Sequence, residues 1–151
     1  MNQPAEGPRA RYRRQVRAEV QVRAWEQIER DGVSALSLKA IATEMGMTAP
    51  ALYRYYDSRD ALLTELILSA YRELAERVEG ANDADSKDPV GRLTGIAGAF
   101  RQWGTTHPQR YLLLYGTPVP GYHAPDAATE LARRIFAPIV VAFELWAKRV
   151  R

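Results

Sequence analysis

The chain contains no cysteine, which excludes disulfides and thiolate metal sites, and only two histidines, His107 and His123. A zinc site built on nitrogen ligands would need more of them. No apolar run approaches the roughly 20 residues that span a bilayer. The opening stretch, MNQPAEGPRARYRRQ, carries basic residues with no apolar segment behind them, so it does not read as a signal peptide. A soluble, cytoplasmic protein without membrane contact is expected. No nucleophile sits at a base's spacing, and no Gly-rich phosphate loop is present. His107 or His123 with Asp126 or Glu130 would be the only acid–base set, so the chain reads as no enzyme and as needing no cofactor.

What is present is ordinary for a folded protein: 151 residues, 46% hydrophobic and 26% charged. That length suits one domain, or a small head fused to a second helical layer. The net charge of +3 is unevenly spread. Residues 1–59 hold ten Lys/Arg against seven Asp/Glu, whereas residues 60–151 hold eleven of each. The excess gathers in Arg9, Arg11, Arg13, Arg14, Arg17 and Arg23, opposed there only by Glu6 and Glu19. Such a basic arm suits either a polyphosphate backbone or a solvated, frayed terminus.

The pattern is helical nearly throughout, and an all-α fold is expected. From about Ala10 to Asp31, Val16, Val20, Ala24 and Ile28 recur every fourth position, and Gly32 supplies the stop. Ser37 can cap a helix from Leu38 to about Met45, ended by Gly46. Thr48 caps a short helix from Ala49 to about Tyr56, with Pro50 in its first turn. A long helix follows from Arg59 to about Val78. Residues 80–89, GANDADSKDP, form the one clear linker. Pro89 opens a fifth helix, His107-Pro108 divides it from a sixth, and GTPVPGYHAP (residues 116–125) is a loop. A last helix starts near Pro125 and should be kinked at Pro138. The division predicted is a head at 1–60, with three helices and the basic arm, joined by the long helix to a helical domain at 61–151.

The informative stretch is SLKAIATEMGMTAPALYRYYDSRDALL, residues 37–63. Two short helices separated by Gly46-Met47-Thr48 have the length and turn of a helix-turn-helix. Ile41, Ala42, Met45, Met47 and Leu52 are spaced to pack the pair together. That leaves Ala49, Pro50, Ala51, Tyr53, Arg54 and Tyr55 for the outer face and first turn of the second helix. Arg54 can offer a bidentate fork to guanine O6 and N7. Tyr53 and Tyr55 suit phosphate oxygens, and the small residues 49–51 allow close approach to a thymine methyl. Lys39 and Arg59 are placed to clamp phosphates on either side, and Thr48 and Ser37 cap helices whose N–H groups can face phosphate. Tyr56 reads as core.

The run L-K-A-I-A-x-x-x-G-M-T-A-P-A-L-Y-R-Y-Y-x-S-R-D-A-L-L resembles the signature of the TetR (tetracycline repressor) family, over about residues 13–63 without a gap. The resemblance implies DNA contacts at Lys39, Ala49, Pro50, Ala51, Tyr53, Arg54, Tyr55 and Arg59. It also implies a homodimer on a palindromic double-stranded operator.

Farther along, W-x-x-x-H-P-x-R-Y-x-L-x-x-G-T-P-V-P-G-Y-x-A-P resembles the ligand-sensing domain of one TetR subgroup, known as the WHG domain. Trp103, His107, Tyr111, Tyr115 and Tyr122 offer apolar faces with polar tips, a mixture suited to a largely apolar small molecule; singly, Trp103 and Tyr111 also read as core and His107 as a cap. A ligand that favours one tilt of the long helix would alter the DNA-reading heads of a dimer. Family members usually continue with two further long helices at the dimer interface, and the sequence stops at Arg151. An incomplete second domain is therefore expected, or dimerisation through other surfaces such as the final helix. The function expected is a ligand-released repressor. A non-sensing interaction protein or heterodimer partner that keeps the head is the alternative.

Overall fold

The computed structural model describes residues 7–151, and every regular element among them is helical. Residues 1–6, with the Glu6 of the basic arm, lie outside the described residues. The helices are α1 (Pro8–Asp31), α2 (Leu38–Glu44), α3 (Ala49–Tyr53), α4 (Arg59–Ala81), α5 (Pro89–Thr106), α6 (Pro108–Tyr115) and α7 (Asp126–Arg149). A short 3-10 turn, Val33–Ala35, links α1 to α2. The chain divides into two compact units, Met1–Leu66 and Ile67–Arg151, with the boundary inside α4.

In the first unit α1 begins at Pro8, earlier than the apolar periodicity indicates, because proline tolerates the first helical turn and the arginines after it are good helix formers. The basic arm from Pro8 onward is thus helix and not coil. Gly32 ends α1 at φ 84°, its N–H bonded to the Ile28 carbonyl at 2.8 Å. The buried Gln27 then fixes the entry to α2: its Oε1 accepts the Ser37 N–H at 3.1 Å. Ser37 in turn caps α2, its Oγ accepting the Ala40 N–H at 3.2 Å. The core joins Val20, Ala24 and Ile28 of α1 to Leu38, Ile41 and Ala42 of α2, Leu52 of α3, and Leu62, Leu63 and Leu66 of α4. Each large aliphatic side chain buried there contributes about 1.5–3 kcal/mol of transfer free energy.

In the second unit α5 and α7 pack together, burying Ile96, Trp103, Ile135 and Ala142. Ala70, Leu74, Ala75 and Val78 of α4 are buried as well. Asp88 caps α5 by accepting the Val90 and Gly91 N–H groups at 3.2 and 3.1 Å. The buried Arg92 donates from Nε to Asn82 at 3.1 Å, tying α5 to the end of α4. Pro138 lies inside α7 without ending it. Glu79 and Arg134 form a two-pronged ion pair at 2.8 Å for each contact. That pairing holds the Glu79 carboxyl below its ordinary range. Among the described residues no helix is long and apolar enough to cross a membrane.

Candidate nucleic-acid interface

Helices α2 and α3 are joined by Met45–Thr48, and the turn is built from backbone bonds. Gly46 adopts φ 66°, which an L side chain rarely tolerates, and the Met47 N–H bonds the Ala42 carbonyl at 2.8 Å. Thr48 caps α3, its Oγ1 accepting the Ala51 N–H at 3.3 Å. Leu52 is completely buried against Ile41 and Ala42 in the core, which fixes the roll of α3. With that face committed, Pro50, Tyr53 and Arg54 are exposed, and Ala49, Ala51 and Tyr55 are half-exposed. Lys39 and Thr48 are also exposed. Seven of these eight residues lie on or flank α3, and Lys39 lies in the first turn of α2.

Helix α3 is shorter than the sequence suggests, ending at Tyr53 and not at about Tyr56. Residues 54–56 keep turn-type bonds, with the Tyr55 N–H on the Leu52 carbonyl at 2.9 Å. The Arg54 and Tyr55 carbonyls are taken by side chains of α1: Arg13 donates to the first at 3.1 Å and Arg17 to the second at 2.8 Å. Those bonds replace the next helical turn. Tyr56 is 2% exposed, with the Arg17 guanidinium 4.4 Å from its ring centre.

Arg59 is the first residue of α4. Its guanidinium donates to the carbonyls of Leu36 at 3.1 Å and Val33 at 2.8 Å, so it staples α4 to the 3-10 turn. Arg13 and Arg17 carry no helix-turn-helix signature, and the motif alone does not reveal them. Their four-residue spacing ahead of the apolar stripe of α1 is the signal that could have.

The five candidate ligand residues fall into three places in the second unit. Trp103 is fully buried, with its ring 6.1 Å from that of His107. His107 Nε2 lies 3.4 Å from Glu73, whose other oxygen pairs with Arg110. Tyr111 and Tyr115 meet as tilted rings 5.4 Å apart within a cluster completed by Phe100 and Tyr71. Tyr122 stands in the 116–125 loop, its N–H turning back to the Val119 carbonyl at 3.2 Å. Trp103 Nε1 and the Tyr115 hydroxyl are buried and have no hydrogen-bond partner among the described residues. Beside the cluster runs an apolar groove of about 390 Å³ lined by Leu93, Ile96, Ala97, Phe100, Arg101, Ile139 and Phe143. None of the five predicted residues lines it; Phe100, which in the sequence is only one more apolar position of its helix, belongs to both groove and cluster. Among the described residues no group of His, Asp or Glu could hold a metal ion.

Burial pushes the Tyr115 hydroxyl up to about 12 from an ordinary value of 10. A raised phenol contributes stability that is complete below pH 10 and disappears as pH rises toward 12. Replacement of Tyr115 by Phe is expected to flatten the loss of stability over that alkaline window while leaving the neutral-pH melting temperature within a few degrees. Thermal melts at stepped pH check this, and an unchanged alkaline slope would contradict the burial of this hydroxyl.

A seated, outward-facing α3 behind a glycine turn, in an all-helical chain of two units, defines a helix-turn-helix protein. The chain belongs to the TetR family of bacterial regulatory proteins: residues 22–66 match the family's N-terminal domain, and residues 93–150 match a tetracyclin repressor-like C-terminal domain. It is 46% identical over 131 residues to the HTH-type transcriptional regulators Rv1816 of Mycobacterium tuberculosis and Mb1846 of Mycobacterium bovis. The alignment takes in 85% of this chain and 56% of each relative, so the chain spans little more than half their length. Their names carry no enzymatic activity, in line with the expectation of a non-enzyme. Among solved structures, the regulatory protein SCO4313 is 55% identical with a TM-score of 0.81, covering 90% of this chain and 64% of that one. The TetR family transcriptional regulator PfmR of Thermus thermophilus shares the fold at a TM-score of 0.70 and 17% identity, over 86% of this chain and 71% of its own.

Proposed function

We propose that this chain is a DNA-binding transcription regulator whose α3 enters the major groove, and that it acts as a homodimeric repressor released by a small, largely apolar effector. The observation that carries the reading is the division of labour on α3. Leu52 is sealed in the core while Pro50, Tyr53 and Arg54 of the same two turns are bare, with Lys39 exposed on α2. An exposed arginine with no core duty, at the end of a helix narrow enough for a groove about 12 Å wide, suits direct readout of base edges, and the exposed tyrosine beside it suits a phosphate. Arg59 is reassigned in this reading: its two carbonyl bonds make it a brace of the head and not a phosphate clamp.

The effector reading is supported by the apolar groove and the aromatic cluster that Phe100 connects. A groove of this size falls within the range of small-molecule sites. The unpartnered Trp103 Nε1 and Tyr115 hydroxyl are polar groups that a ligand oxygen could satisfy. Repression, release and a palindromic operator are parts of this proposal.

Selection from a random duplex library with the purified chain at physiological salt tests it. Enrichment of a two-fold-symmetric motif supports a sequence-reading dimer. Enrichment of a lone half-site supports the head but removes the dimer. Absence of any enrichment overturns the reading and favours an interaction protein that works through protein contacts.

A further inference from the structure

Helix α1 sets Arg9, Arg13, Arg17 and Gln21 at four-residue intervals, which places them on one face. Three of the four meet three consecutive residues, Arg54, Tyr55 and Tyr56, where the chain leaves α3. Arg13 donates to the Arg54 carbonyl, Arg17 to the Tyr55 carbonyl, and Gln21 to the Tyr56 hydroxyl at 3.4 Å. The Arg13 guanidinium also lies 5.4 Å from the centre of the Tyr55 ring. Arg17 and Gln21 are anchored in turn on Glu65. This ladder locks the first turns of α1 to the end of the recognition helix.

The charge on the ladder is unequal. Arg17 is neutralised by Glu65, but the partners of Arg13 among the described residues, a carbonyl and a ring, carry no negative charge. One turn farther out, Arg9 is exposed and bonds no other described residue. Arg9, Tyr12, Arg13 and Tyr55 line a groove of about 450 Å³ together with Pro8. No acidic residue occurs between Gly7 and Ala18. Among the described residues, two cations and two tyrosines therefore line an open groove that no carboxylate lines, and the ladder holds that groove beside the residues proposed to read bases.

We propose that this groove is a second DNA contact, a seat for a backbone phosphate, so that α1 extends the interface as a rigid helix beyond the helix-turn-helix. The proposal rests on the DNA-binding reading above. Arg9 and Arg13 supply charge, and Tyr12 and Tyr55 supply donors to the phosphate oxygens. Such a contact adds affinity without sequence preference, and it releases a counterion when it forms.

The test is fluorescence anisotropy of the full chain on two labelled duplexes, one carrying the enriched motif and one unrelated, over a series of salt concentrations. Arg9→Gln removes the charge from an exposed side chain that bonds no other described residue, so the melting temperature is expected to stay unchanged. It is expected to weaken binding to both duplexes equally, by roughly threefold to tenfold, and to make the slope of log K against log salt shallower by about one. Arg9→Lys is expected to keep the slope. Arg54→Ala, at the residue proposed to read a base, is expected instead to lose much of the preference between the duplexes. An unchanged slope in Arg9→Gln overturns the phosphate seat and leaves the helix-turn-helix reading standing. A loss confined to the enriched duplex overturns it too, by making Arg9 a reader of bases. Wild-type protein that binds neither duplex overturns both readings.

Discussion

Arg54→Ala and Tyr53→Ala are each expected to cost about 1–3 kcal/mol in affinity for the enriched operator, a loss of about fivefold to 150-fold. Both side chains are exposed, and neither fills the core, so the circular-dichroism spectrum and melting temperature should hardly change. The two variants should differ in kind. A guanidinium fork discriminates guanine from the other bases, so Arg54→Ala should also accept substitutions at one operator position. Tyr53→Ala should lose affinity without such broadening if its hydroxyl meets phosphate. Binding isotherms on operators permuted one base at a time separate the outcomes. Unchanged affinity in both variants would mean that α3 is not the recognition helix.

Leu52→Ala is expected to be the most damaging single change in the head. Leu52 is fully buried at the crossing of α3 with α2, and truncation of such a leucine leaves a cavity and costs about 2–5 kcal/mol. A helix of five residues has little intrinsic stability, so its orientation depends on its anchors, of which Leu52 is the one in the core. The loss of affinity for DNA should therefore accompany the loss of stability. Native-state hydrogen exchange is the suitable readout because the chain has two units and need not unfold in one step. Faster exchange in residues 38–56 with the second unit unchanged is the expected pattern. Wild-type exchange rates there would show that α3 is seated by something other than Leu52.

The head was legible because its signals are local and redundant. Gly32 and Gly46 take the positive φ that helix stops require, Ser37 and Thr48 cap as their types suggest, and Leu52 is the apolar residue at the crossing. The end of α3 was not legible, since the bonds that stop it come from Arg13 and Arg17, some forty positions earlier. For the same reason the carbonyl partners of Arg59, Val33 and Leu36, could not be read from its place at the start of α4. In the second unit, aromatic and histidine types pointed to a polar-tipped cluster. Sequence spacing could not divide Trp103 and His107 from Tyr111 and Tyr115, nor bring in Phe100, Tyr71 and Glu73 from other helices. Long-range pairings of that kind leave no periodic trace.

The shortness of α3 bears on how this protein could change over generations. What keeps the helix in place is Leu52, the Thr48 cap and the arginines of α1, none of which belongs to the bare face at positions 50, 53 and 54. Mutations on that face are nearly free of folding consequences, so a lineage can explore new target sites one substitution at a time without passing through misfolded ancestors. Innovation in what is read is uncoupled here from the survival of the reader.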